Sequence, residues 1–244
     1  MEILSAIHDT ETADGPMAVL HYKLDGGEWP VVAMFHDGPG IRTATHEFAK
    51  KLAGAGYQVV IPDLFHRHGR MIGIEPADRA ADPEGSVERM MSMVRSLDDE
   101  NIQTDMDAGL GAAGIDPDQP VATIGFCLGA RAVAHALLSR PDRYIAGAMW
   151  HPSFLAGDSD TSPHLRAGQL SRPLYIGIGG ADTAQPQSMQ QPFLDAAAPT
   201  GFVELEVFPG AEHGFTWPDH PSYHEVAAVS SFEHTTMMFA KAFA

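Results

Sequence analysis

Val121-Ala122-Thr123-Ile124-Gly125-Phe126-Cys127-Leu128-Gly129-Ala130-Arg131-Ala132-Val133-Ala134 changes character in its middle. The first four residues form a short, largely β-branched run that predicts a buried strand. The residues from 130 to 139 are Ala-rich and predict a helix. Between them, Gly125-Phe126-Cys127-Leu128-Gly129 has the G-x-S-x-G pattern of a nucleophile elbow, with Cys in place of Ser. A chain that passes from strand to helix in so few residues holds the central residue in strained backbone, and glycines allow the close approach. The side chain of Cys127 then stands clear above the end of the strand. The Leu128 N–H points where an oxyanion would form, and the helix start favours a thiolate. A structural cysteine on a tight turn has the same letters, so the motif needs partners.

Outward from this point the same alternation recurs. Val31–Phe35 is an apolar run ending at His36-Asp37-Gly38-Pro39-Gly40, followed by a helix over 45–52 with Phe48, Ala49 and Leu52 on one side. Residues 58–61, Tyr144–Trp150, 174–178 and Val203–Phe208 read as further strands, and 223–243 as a closing helix. In the last strand Val203, Leu205 and Val207 face one way and Glu204 and Glu206 the other. Strands alternating with helices predict an α/β class, with a mostly parallel sheet flanked by helices on both faces in one domain over 1–244. Residues 66–85 and 152–171 are polar and turn-rich, and fit either cleft walls or ordinary surface loops.

A nucleophile needs a base, and the base an orienting acid, in the chain order nucleophile, acid, histidine. Gly179-Gly180-Ala181-Asp182 follows one strand and Pro209-Gly210-Ala211-Glu212-His213-Gly214-Phe215 follows the last. Both loops leave the carboxyl ends of strands, where sites of such folds are built. His213 is thus chosen among thirteen histidines by position. Asp182 is preferred to Glu212 as its partner, because adjacent side chains diverge. An Asp in a Gly-rich loop also forms turns without any catalytic role.

Taken together, these motifs resemble the dienelactone hydrolase family of the α/β-hydrolase superfamily. Asp37-Gly38-Pro39-Gly40, Gly56-Tyr57, Pro62-Asp63-Leu64-Phe65, the Cys127 elbow, Gly180-Ala181-Asp182 and the 209–215 loop occur in the order and spacing of that family. The resemblance runs from about Val31 to the C-terminal helix. It implies an ester or lactone hydrolase with Cys127 as nucleophile, His213 as base and then acid, and Asp182 as orienter. It assigns Gly38 and Leu128 as oxyanion donors, and places Asp37 where the family has a Glu that meets the resting thiol. The best-known members carry an Arg four residues after the histidine, to bind a substrate carboxylate. Here that residue is Trp217, which implies a flatter, more apolar pocket; Trp150-His151 follows another strand and is a further candidate for its lining, and simple core packing fits each of these aromatics equally well. Arg67, Arg70 and Arg79 are the other candidate cations.

The bulk composition narrows the partners. With 15 basic and 32 acidic residues the formal charge is −17, which disfavours nucleic acid and acidic membranes as partners. One cysteine excludes an intramolecular disulfide. No signal peptide or membrane span is read, so a cytoplasmic monomer or homodimer acting on a small ester or lactone is expected. Neither cofactor nor metal is expected. His66/His68 and His220/His224 lack a third ligand at metal spacing and read as solvated loop or helix residues. Two alternatives share these residues: a general carboxylesterase or thioesterase on the same triad, and a non-catalytic member of the fold that binds a small ligand.

Overall fold

The computed structural model describes residues 1–244. They form two compact units, Met1–Gln119 and Pro120–Ala244.

The first unit begins with a hairpin of β1 (Ile3–Thr12) and β2 (Gly15–Leu24), antiparallel from Ile3 opposite Leu24 to Thr12 opposite Gly15. Next come β3 (Val31–Phe35), α1 (Thr43–Gly54) and β4 (Gln58–Pro62). β4 pairs antiparallel with β2 and parallel with β3, giving the order β1-β2-β4-β3. Three helices complete the unit: α2 (Pro76–Ala81), α3 (Pro83–Arg95) and α4 (Asp99–Ala112). Asp82 and Asp98 cap α3 and α4 by accepting from Gly85 N and Asn101 N.

The second unit alternates throughout: β5 (Val121–Phe126), α5 (Leu128–Ser139), β6 (Tyr144–Trp150), β7 (Leu174–Gly179), α6 (Gln187–Ala197), β8 (Val203–Phe208) and α7 (Glu225–Phe243). Its four strands pair parallel in the order β5-β6-β7-β8. Every residue of β5 and β7 is buried, as parallel strands covered on both faces require. α7 is pinned to the sheet by polar contacts. Trp150 Nε1 donates to Thr235 at 3.0 Å, and Ser231 Oγ lies 3.1 Å from Tyr175 Oη, which donates its proton to Glu206 of β8 at 2.9 Å.

The α/β class and every strand read from the sequence are present, within two residues at the ends. β1 and β2 went unread, although Asp14-Gly15 is a turn signal, because β1 is exposed along most of its length and has no apolar face to reveal it. α2, α3, α4 and α6 also went unread. Segment 66–85 holds α2 and the start of α3, while 152–171 contains two short 3-10 turns, 163–165 and 167–169. The faces of β8 separate as expected, but with the apolar one outward. Leu205 and Val207 are 42% and 37% exposed, while Glu206 turns to Tyr175 and Ser230. No helix is long and apolar enough to cross a membrane.

Candidate active site

The turn between β5 and α5 carries the first reactive side chain. Cys127 has φ 51° and ψ −115°, a conformation that L residues rarely adopt. Holding it costs about 1–3 kcal/mol, which the surrounding structure must offset. Its N–H donates to Trp150 O at 3.2 Å and its carbonyl accepts from Ala130 N at 3.1 Å. Gly125 makes the turn feasible: a Cβ there would lie 2.1 Å from Gly129 O. Because the obstacle is backbone, no side chain can yield. Gly125→Ala is expected to cost at least about 3 kcal/mol, measured as a lowered urea midpoint or loss of soluble protein.

The second and third side chains sit on the loops after β7 and β8. These loops are laced together by Gly180 N to Phe208 O at 2.8 Å and Ala181 N to Ala211 O at 2.9 Å. Gly179 permits the approach, since a Cβ there would come within 2.5 Å of Ala211 O. Asp182 is buried, and its two oxygens divide the work. Oδ1 accepts from Ala184 N at 2.9 Å and Gln185 N at 2.7 Å, forming the turn, while Oδ2 meets His213 Nδ1 at 2.7 Å. The turn-forming and histidine-orienting readings of Asp182 thus hold at once. Glu212 is exposed and does not compete. The carbonyl of His213 accepts from Ser222 Oγ at 2.6 Å, which fixes the loop from the far side.

The Cys127 side chain lies close enough to the same imidazole to raise its pKa. Burial pushes the His213 pKa down, but its interactions with Asp182 and with the Cys127 side chain outweigh that and raise it to about 10. A pKa raised in this direction favours the imidazolium. His213 retains a 23% exposed side chain, so the pair is not sealed from solvent.

The aromatic residues named as candidates for a pocket lining are buried. Trp150, His151 and Trp217 are 0%, 1% and 2% exposed and pack around Phe126. They form a buried aromatic layer that reaches the His213 ring through His151. His151 stacks edge-on against His213, with ring centroids 5.0 Å apart, and its Nε2 bonds Thr216 Oγ1 at 2.9 Å. A tryptophan after a strand reads the same way for pocket or core, and packing put both tryptophans in the core.

In the first unit, Asp37 is held by Arg42 in a buried bidentate pair, at 2.8 and 3.1 Å. The His36 ring fixes the same segment. Its Nδ1 donates to Asp37 O and its Nε2 accepts from Leu64 N. Burial keeps that imidazole below its ordinary pKa, as this neutral tautomer requires. Arg67 spans Asp105 and Asp14, and Arg70 pairs with Asp9. His66 is buried against Asp105 at 3.4 Å rather than solvated, and His224 caps α7 by accepting from Ala227 N. Nowhere do three or more His, Cys, Asp or Glu side chains gather as a metal site would need.

Sequence reasoning missed Ser153, whose hydroxyl lies 3.2 Å from Cys127 Sγ. Nothing local marks it beyond its place just after β6, inside a segment already suspected as a cleft wall.

Comparison with known proteins bears on what this arrangement does. The profile of the dienelactone hydrolase family matches residues 17–243. The chain belongs to the dienelactone hydrolase family. A carboxymethylenebutenolidase of Rhodococcus opacus is 27% identical over 232 residues, covering 93% of this chain and 86% of that protein. Two solved structures share the fold. A Klebsiella pneumoniae protein assigned as a dienelactone hydrolase superposes with a TM-score of 0.78 at 21% identity, covering 98% and 99% of the two chains. A dienelactone hydrolase-like promiscuous phosphotriesterase from metagenomic libraries gives 0.75 at 18% identity, covering 99% of each. At such identities the structures speak for the α/β-hydrolase fold alone. The family places this dienelactone hydrolase homologue among the ester- and lactone-cleaving hydrolases.

Proposed function

We propose that this protein hydrolyses a carboxylic ester or lactone through an acyl-cysteine intermediate on Cys127, with His213 and Asp182 completing the triad. One observation carries the reading. The imidazole held by Asp182 Oδ2 at 2.7 Å lies close enough to Cys127 to feel its side chain, and the cysteine stands on a strained elbow. Strain of this kind persists where geometry serves a function.

The steps follow from the protonation state. The sulfur, as thiolate, attacks the acyl carbon, and the carbonyl electrons move onto oxygen. The N–H group of Leu128 is assigned to that oxyanion. Leu128 opens α5, whose first N–H groups have no acceptor within the helix. Each such donor contributes about 2.7–4 kcal/mol to the barrier. The pair of Asp37 with Arg42 is assigned to holding the loop that carries Gly38. As the tetrahedral species collapses, the C–O bond breaks and the His213 proton passes to the leaving oxygen. The neutral imidazole then takes a proton from water. Hydroxide adds to the thioester, the C–S bond breaks, and acid, thiolate and imidazolium are restored. No cofactor enters these steps.

Trp217, packed on Phe126, puts no cation at the place where the best-known family members bind a carboxylate. An uncharged ester or lactone is therefore the preferred substrate class. Rapid acid quench after mixing with p-nitrophenyl acetate, followed by peptide mass spectrometry, is expected to find one acetyl group on the peptide containing Cys127. A matched panel of neutral and carboxylate-bearing esters, lactones and thioesters then ranks the leaving groups. Turnover with no acyl group on Cys127 at any quench time removes the covalent route, and absence of turnover with saturable binding favours a ligand-binding protein.

A further inference from the structure

β6 does not run directly into a loop. His151, its first residue beyond the strand, has φ 39° while its N–H still bonds Gly177 O at 2.8 Å. Pro152 follows, and Phe154 again has positive φ, 61°. Two unfavourable backbone conformations around one serine each cost about 1–3 kcal/mol, and strain so concentrated calls for a reason. The outcome of the double bend is the placement of Ser153. Its N–H donates to Cys127 O at 3.0 Å, its hydroxyl lies 3.2 Å from Cys127 Sγ, and the residue is 0% exposed. Gln190 of α6 accepts from Leu155 N at 3.2 Å and holds the segment from behind.

We propose that Ser153 is a positioning residue of the hydrolase, its buried hydroxyl fixing the Cys127 side chain and donating a hydrogen bond to the sulfur when it is negatively charged. The inference rests on the assignment of Cys127 as nucleophile. The Nδ1 of His213 is given to Asp182, so the imidazole has only its other nitrogen for the sulfur. A charged sulfur accepts more than one donor, and a hydroxyl tied to the nucleophile's own carbonyl is a second one in fixed geometry. The titratable group nearest the sulfur is His213, with Asp182 on its Nδ1 and the His151 ring packed against its own. Ser153 does not titrate, so it can stabilise the thiolate without competing for the proton. Between turnovers it also keeps the thiol in the orientation from which attack begins.

The single cysteine makes the test specific, since iodoacetamide reports on Cys127 alone. Alkylation rate is measured against pH in wild-type protein and in Ser153→Ala, together with kcat and KM for the best ester. The expected result is a profile displaced to higher pH, several-fold slower alkylation at neutral pH, and a kcat about tenfold lower with KM little changed. Should Ser153→Ala fail to fold, the isosteric pair Ser153→Thr and Ser153→Val separates hydroxyl from packing, with Thr expected to follow wild type. A Ser153→Ala profile and kcat equal to wild type, or equal shifts in the Thr and Val variants, would overturn the proposal. The alkylation readout does not depend on catalysis. If Cys127→Ala keeps full hydrolysis, the triad assignment fails by that result, while the contact between hydroxyl and sulfur is still judged by the profile.

Discussion

Cys127→Ala is expected to lower kcat/KM for the best ester by about 10⁴-fold or more, leaving only the contribution of binding and the oxyanion donors. The same change opens a second measurement, because Cys127 is held at φ 51°. Alanine removes the sulfur but keeps the strained backbone, whereas glycine adopts positive φ freely. Cys127→Gly is therefore expected to be as inactive as Cys127→Ala but more stable by about 1 kcal/mol or more, read from urea unfolding. A variant that loses activity and gains stability shows that the elbow is shaped for chemistry and not for folding. Full activity of Cys127→Ala on esters and lactones would sink the proposed mechanism.

Asp182→Asn is expected to lower kcat by roughly 10³- to 10⁴-fold while leaving the fold intact. The reason lies in how the carboxylate is shared. Ala184 N and Gln185 N both donate to Oδ1, so the carboxamide oxygen is drawn to that place and its NH2 turns toward His213 Nδ1. Nδ1 then has to accept, the neutral ring carries its proton on Nε2, and it can no longer take one from water or thiol. A stability effect with a definite sign accompanies the loss. The folded pKa of His213, about 10, lies above its ordinary 6.5, so the imidazolium stabilises the native state fully below about pH 6.5. That stabilisation is lost as pH rises through about 10. The melting temperatures of wild type and Asp182→Asn should thus differ most near pH 6.5 and converge toward pH 10. A gap that widened across this interval would contradict the ion pair.

The second unit was far more legible in the sequence than the first. β5, β6 and β7 are buried on both faces, so Val121, Tyr144 and Leu174 each open an apolar run, while Val203 opens the alternating run of β8. The first unit hides its edge. β1 is solvated along most of its length, and α3 and α4 bury only part of one side, leaving no strong period to read.

By itself the sequence determined the strand-to-helix turn at Cys127, the loops that carry Asp182 and His213, and so the family. These are local matters, set by glycines at close approaches and by apolar runs a few residues long. Only the tertiary structure decided what meets what across distance. It gave Asp37 to Arg42, sent Trp150 and Trp217 into the core, turned Glu206 rather than Leu205 inward, and brought Ser153 to the sulfur. Those outcomes depend on packing and on which buried polar group finds which partner. Neither is encoded in any one segment, because the competing partners lie on other strands and helices.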